Sequence, residues 1–173
     1  MKTTEEWWQE VSTNPSKMTD WLYDQYRGEV TAAENIKGLI DKYNLKGANR
    51  MVIGKIAEQE AQHAEWIGDL LMKQGMNPEV KDVESRYWKE TILDDMTFSY
   101  VCAVAHHAET MRLERIELLA QDEKFLDIAE TFRRIRKDEL FHAKAFAALS
   151  TDEDIEKARH NHEKGMGAIG LVI

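Results

Sequence analysis

Two segments of the chain read Glu60-Ala-Gln-His63 and Glu139-Leu-Phe-His142. A step of three residues puts a carboxylate and an imidazole on one face of a helix, where both can reach one ion. Chance alone supplies about 0.7 such pairs from 20 glutamates and 6 histidines, so the pairs by themselves carry little weight. Their placement carries more. Glu60 and Glu139 are 79 residues apart, as are His63 and His142, and Glu29 and Glu109 are 80 apart. The chain therefore reads as two similar helix hairpins, each with one lone glutamate and one Glu-x-x-His pair. All six groups interrupt apolar stripes at places where Ile, Leu or Phe is expected. Four carboxylates gathered in such a layer are costly to desolvate, or are forced to protonate. Two divalent cations remove the conflict, because four Glu anions and two neutral imidazoles balance them.

The elements that must position these groups are helical. Leu22, Tyr26, Glu29, Ala33, Ile36, Ile40 and Tyr43 recur at steps of four and three, which predicts a first bundle helix over about 17–43. Asn44 to Gly47 break the pattern, and Ile53, Ile56, Glu60, His63, Ile67 and Leu70 resume it until Gly75 and Pro78. The short loop makes this second helix antiparallel to the first. Residues 77–93 are irregular, with a short helix predicted over 83–92, and read as a long crossover. Phe98 to Gln121 carries the third stripe, and Phe125, Ile128, Phe132, Ile135, Glu139, His142, Phe146 and Leu149 the fourth. The expected fold is all-α: an antiparallel four-helix bundle over about 17–149 with one long crossover between its second and third helices. A short N-terminal helix over 4–12 and a C-terminal helix over 151–164 flank it. The apolar tail after Lys164 is left to dock on the bundle, join a subunit contact or stay loose. A length of 173 residues suits one domain spanning 1–173.

Composition narrows the class. With 43% apolar and 32% charged residues, the chain has the balance of a soluble helical protein. A net charge of −9 argues against nucleic acid and anionic membrane as partners. Cys102 is the only cysteine, so no disulfide or thiolate cage forms within one chain, and the cytoplasm is the expected compartment. No apolar run approaches the ~20 residues that span a bilayer, and the first residues lack the pattern of a signal peptide.

The segments RGEVTAAENI, IAEQEAQHAEW, HHAETMRLER and IRKDELFHAKAF resemble the four helices of the rubrerythrin and bacterioferritin branch of the ferritin-like superfamily, over about residues 20–149. That ligand pattern is the known one for di-iron and di-manganese bundles. The resemblance implies that Glu60 and Glu139 bridge two metals, that Glu29 and His63 complete one ligand set, and that Glu109 and His142 complete the other. Mixed oxygen and imidazole ligation suits two iron ions, with manganese as the alternative. The implied activity is that of an oxidoreductase whose reduced metal pair reacts with O₂ or hydrogen peroxide. Iron storage with ferroxidase activity, and a metal-stabilised bundle with an interaction role, are the competing expectations. A homodimer is compatible with the first and third.

Two departures stand out. Rubrerythrins carry a module with paired cysteines that delivers electrons, and Cys102 alone cannot form one, so a separate electron donor is expected. Rubrerythrins also place a further metal-facing carboxylate one turn after the third-helix glutamate, where this chain has Arg112. Among neighbours, Asp138 is placed to accept an imidazole N–H, with Gln59 at the matching position 79 residues earlier. His106 reads as a satisfied flanking histidine and His107 as exposed. Tyr26 and Cys102 read as core packing, Trp66 as packing or a subunit contact, and His160-Asn-His162 as a solvated helix end. Glu34 and Glu114 lie about 140° around the helix from the site-facing glutamates and are poor ligands.

Overall fold

A computed structural model describes residues 2–80, 86–91 and 96–171. Among them are seven α-helices and no strand: α1 (Thr4–Ser12), α2 (Pro15–Lys42), α3 (Gly47–Lys73), α4 (Arg86–Thr91), α5 (Phe98–Gln121), α6 (Leu126–Ala148) and α7 (Asp152–Ala168). A single 3₁₀ turn, Glu123–Phe125, precedes α6. Helices α2, α3, α5 and α6 are the expected bundle. The pair α2 and α3 packs as one hairpin, α5 and α6 as the other, and α3 lies against α6.

Local chemistry sets the helix ends. Asn14 caps α2 by accepting from the backbone N–H groups of Ser16 and Lys17, and Pro15 occupies the first turn, where its missing N–H costs nothing. The α2–α3 turn places Asn44 at φ 48°, a left-handed conformation that asparagine tolerates. This lets the Leu45 N–H return to the Ile40 carbonyl while the Leu45 side chain is buried. Thr97 and Thr151 cap α5 and α7.

Two apolar clusters fill the bundle. One holds Leu22, Ile67, Leu70, Ile116, Phe132 and Ile135; Trp8 and Val11 of α1 close it off. There Trp8 stacks edge-on against Trp21, with its indole N–H donating to Asp122 at 2.9 Å. The other holds Ile53, Ile56, Cys102 and Phe146. On every bundle helix the six ionisable groups fall, in sequence, between residues of these two clusters. The polar layer is thus sealed at both ends by aliphatic and aromatic side chains.

The chain outside the bundle follows the expectation with one extension. Helix α1 spans the residues anticipated, whereas α7 runs a turn past Lys164 and takes in the first part of the apolar tail. The tail is docked: Leu171 is buried and forms an isolated parallel bridge with Lys2. Of the predicted crossover helix, Arg86–Thr91 is helical, and residues 83–85 and 92 lie outside the described residues. No described helix is long and apolar enough to cross a membrane.

Helix α4 is clamped against α7 at Gly165. A Cβ built there would meet the Tyr87 ring at 2.7 Å and the Thr91 methyl at 2.8 Å, distances that real side chains do not adopt. Gly167, two residues further along α7, faces open space. Gly165→Ala is therefore expected to destabilise the protein by about 1–3 kcal/mol through overpacking, whereas Gly167→Ala should stabilise it by about 0.5–1 kcal/mol by removing backbone freedom from the unfolded chain. Paired thermal melts of the two variants check this, and equal shifts would show that α4 does not pack as described.

Candidate metal centre

The structure brings all six sequence-predicted groups together. Glu29 comes from α2, Glu60 and His63 from α3, Glu109 from α5, and Glu139 and His142 from α6. Five of them are fully buried, with no exposed surface, and Glu109 is half-buried. They form two groups of possible ligands. One is Glu29, Glu60, His63 and Glu139, the other Glu60, Glu109, Glu139 and His142, and in each the ligating atoms lie within 4.8 Å of one another.

Glu60 and Glu139 belong to both groups, and each divides its two oxygens between the histidines. The His63 Nδ1 lies 3.9 Å from Glu60 Oε2 and 3.4 Å from Glu139 Oε1. The His142 Nδ1 lies 2.9 Å from Glu60 Oε1 and 3.5 Å from Glu139 Oε2. The two imidazole rings are 5.7 Å apart, centre to centre. Such an arrangement can hold two cations that share both central carboxylates.

The far side of each imidazole is held by the opposite hairpin. His63 Nε2 faces Asp138 of α6 at 3.3 Å, and His142 Nε2 faces Gln59 of α3 at 3.3 Å. The Gln59 amide N–H donates in turn to Asp138, closing the network. Asp138 thus serves an imidazole, as its position suggested, and that imidazole sits on another helix. With Nε2 engaged, each ring turns its Nδ1 toward the carboxylates, as metal-bound histidines are commonly oriented by an outer carboxylate or carbonyl.

Metal ions fit the donor set. Both oxygens of Glu29, Glu60 and Glu139, and the Nδ1 atoms of His63 and His142, are buried and make no well-aligned hydrogen bond among the described residues, although His142 and Arg112 approach Glu60 and Glu29 closely. Buried polar atoms are almost always well paired, so eight such ligand atoms facing one another in one layer fit cations there. Arg112, which the sequence showed only as a departure from a family pattern, takes part directly. Its guanidinium contacts Glu29, and its Nε lies 3.3 Å from Glu139 Oε1. The signal for this was its place three residues after Glu109, on the same helical face.

Other neighbours divide between confirmed and corrected. Glu34 and Glu114 are exposed, as their helical phase required. The His106 Nδ1 faces the Ala143 carbonyl at 2.9 Å, a satisfied flank. Cys102 is buried, and burial pushes its thiol up to about 12. Trp66 packs on the His63 ring at 5.6 Å and carries the Arg134 guanidinium 4.1 Å from its ring centre. His107 is half-buried, not exposed, because α7 covers it and its Nε2 faces the Ile155 carbonyl at 2.9 Å. His162 is likewise buried: α7 turns it inward onto Tyr87, while His160 remains solvated.

Electrostatics in the protein without metal follow from crowding. Burial, then the Glu139 charge, raises the Glu60 and Glu109 carboxyls above the usual range. Burial would also raise Glu139, but the Arg112 charge and the neighbouring imidazoles of His142 and His63 hold it well below. Burial disfavours charged His63 and His142, yet the carboxylates of Glu139 and Glu60 outweigh it and raise both. Groups raised in the folded state stabilise it below their unfolded values and lose that contribution as pH rises through the folded ones. Glu139 acts in the opposite sense and loses its contribution on strong acidification. The chelated protein should therefore melt highest in mild acid, at about pH 5–6, and lower at about pH 8. Glu60→Gln combined with Glu109→Gln should flatten that slope. The loaded protein should show the reverse, because protons compete for the same donors. Calorimetry of both forms across pH checks the sign.

A family model for rubrerythrin matches residues 20–150, the span that holds most of α2, all of α3 through α6 and all six converging groups. No curated protein matches, and no solved structure does. The matched span covers well over half of the 173 residues and contains the complete donor layer, so the chain belongs to the rubrerythrin family.

Proposed function

We propose that the protein is a di-iron oxidoreductase that reduces O₂ or hydrogen peroxide, with manganese as the alternative metal. The reading rests on one observation: eight buried carboxylate and imidazole atoms, none in a well-aligned hydrogen bond, converge as two ligand groups that share Glu60 and Glu139. Two adjacent redox metals would supply the paired electrons and the Lewis acidity that O–O reduction needs. Glu29 and His63 would complete one ion's ligands, and Glu109 and His142 the other's.

The chain's own residues define the rest. Asp138 and Gln59 hold the imidazoles in the orientation that presents Nδ1. The apolar clusters on either side keep bulk water from the layer and strengthen every charge within it. Arg112 draws charge from Glu29 and Glu139 at the position where a mobile carboxylate would serve ligand exchange. Its fixed positive charge replaces that exchange with a site of less negative total charge. Cys102 is buried and single, so electrons enter from a redox partner outside these residues.

Ferrous loading without air followed by exposure to oxygen tests the proposal. Complete loading should reach about two ions per chain, and oxygen uptake should match the iron oxidised. Glu139→Ala should hold at most one ion and consume no oxygen, because each ion loses a shared ligand. Its metal-free form should melt no higher than the wild type, because Glu139 is the carboxylate that Arg112 and both imidazoles favour in its charged form. Glu114→Ala removes the same chemistry from an exposed position and should keep both ions. Metal analysis giving two ions in Glu139→Ala and none in Glu114→Ala would overturn the assignment.

A further inference from the structure

Beyond the donor layer lies a second buried pair that the proposed activity does not use. The Tyr87 hydroxyl of α4 sits 2.7 Å from Nδ1 of His162 on α7, and both residues are buried. The His162 ring stacks on His107, with centres 5.2 Å apart and planes 18° from parallel. His107 lies on α5 two residues before Glu109, so the pair adjoins the segment that carries a metal ligand. On the other side, the Tyr87 ring meets Trp88 edge-on at 5.2 Å, and Trp88 is 40% exposed. Tyr87 thus touches a half-exposed indole on one side and is linked on the other, through His162, to the ring of His107.

We propose that Tyr87 is a redox-active tyrosine that gives one electron to the oxidised metal pair while passing its hydroxyl proton to Nδ1 of His162. The step balances: the phenol O–H bond breaks, the proton adds to the imidazole, the electron reduces one metal ion by one unit, and a neutral tyrosyl radical remains. The oxidant is the proposed di-iron pair after reaction with O₂ or hydrogen peroxide, so the inference rests on that reading. Re-reduction comes from a one-electron donor at the Trp88 side, and the proton returns from His162.

Three further features favour this over a purely structural hydrogen bond. Burial, followed by the His107 charge, pushes His162 down to about 4, which keeps the imidazole neutral and free to accept. Burial, followed by the Glu109 charge, pushes the Tyr87 phenol above its usual range, so it holds its proton until oxidised. The fit of Gly165 against the Tyr87 ring fixes the phenol where its oxygen meets the imidazole. A phenylalanine would fill the space as well, and only the hydroxyl makes the base necessary.

The test uses the full chain, Tyr87→Phe and His162→Gln, each loaded with iron and each also stripped of metal. After hydrogen peroxide, the iron-loaded wild type should give a tyrosyl radical by electron paramagnetic resonance, and Tyr87→Phe should bind the same iron and give none. Without metal, flash oxidation by a photosensitiser should oxidise Tyr87 with a solvent deuterium isotope effect. In His162→Gln that effect should vanish and the rate fall about a hundredfold, the size expected of a lost general base. An undiminished signal in iron-loaded Tyr87→Phe would overturn the inference. So would an unchanged rate in His162→Gln, which a merely structural hydrogen bond predicts. Two bound irons with no radical would sink the inference alone, whereas no bound iron would sink the proposed function with it.

Discussion

The structure is organised around a layer of four carboxylates and two imidazoles held where a four-helix bundle would otherwise be apolar. A charge in such a medium must be paired or neutralised. Among the described residues, Arg112 is the guanidinium that reaches the layer, contacting Glu29 and Glu139, while Glu60 and Glu109 remain buried and crowded by the Glu139 charge. The surrounding fold makes that layer tolerable. Two apolar clusters on either side supply the burial that holds the helices together, and they do so without depending on the polar groups between them. The bundle can therefore carry an electrostatically costly centre that cations relieve.

Precision at the centre comes from crossing the hairpins. Asp138 of the second hairpin orients His63 of the first, and Gln59 of the first orients His142 of the second. Because Gln59 and Asp138 also bond each other, neither imidazole can rotate without breaking a contact that serves the other. The exchange is not symmetric. Asp138 is an anion that favours an N–H on Nε2 of His63, whereas Gln59 offers a neutral amide oxygen to His142. The two halves of the site consequently differ in basicity, and Arg112, beside Glu29 and Glu139, adds to the difference.

The crossover and the C-terminal helix form a second tier. Helix α7 lies along α5 and clamps α4 through Gly165, burying Tyr87 and His162 together beside the segment that bears Glu109. The same contacts bury one face of the apolar tail, ending at the Leu171 bridge to Lys2. What looks in the sequence like peripheral chain thus shapes the environment on one side of the metal layer.

Much was legible in the residues alone. Stripes at steps of three and four gave the four bundle helices within a few residues, since helical periodicity is a local property and caps such as Asn14 and Thr97 are encoded next to the turns they close. The six site residues were legible because ionisable groups broke those stripes and because the repeat of 79 and 80 residues tied them together. Periodicity says which face of a helix points inward, yet not which neighbour it meets. That is why the exchanged partners of His63 and His142 and the reach of Arg112 to Glu29 and Glu139 appeared only in the tertiary structure. The same limit applied to His107 and His162: each was read as solvated from its own polar surroundings, and each is covered because α7 packs on α5 and turns His162 toward Tyr87 of α4, a contact between residues 75 apart that no local pattern encodes.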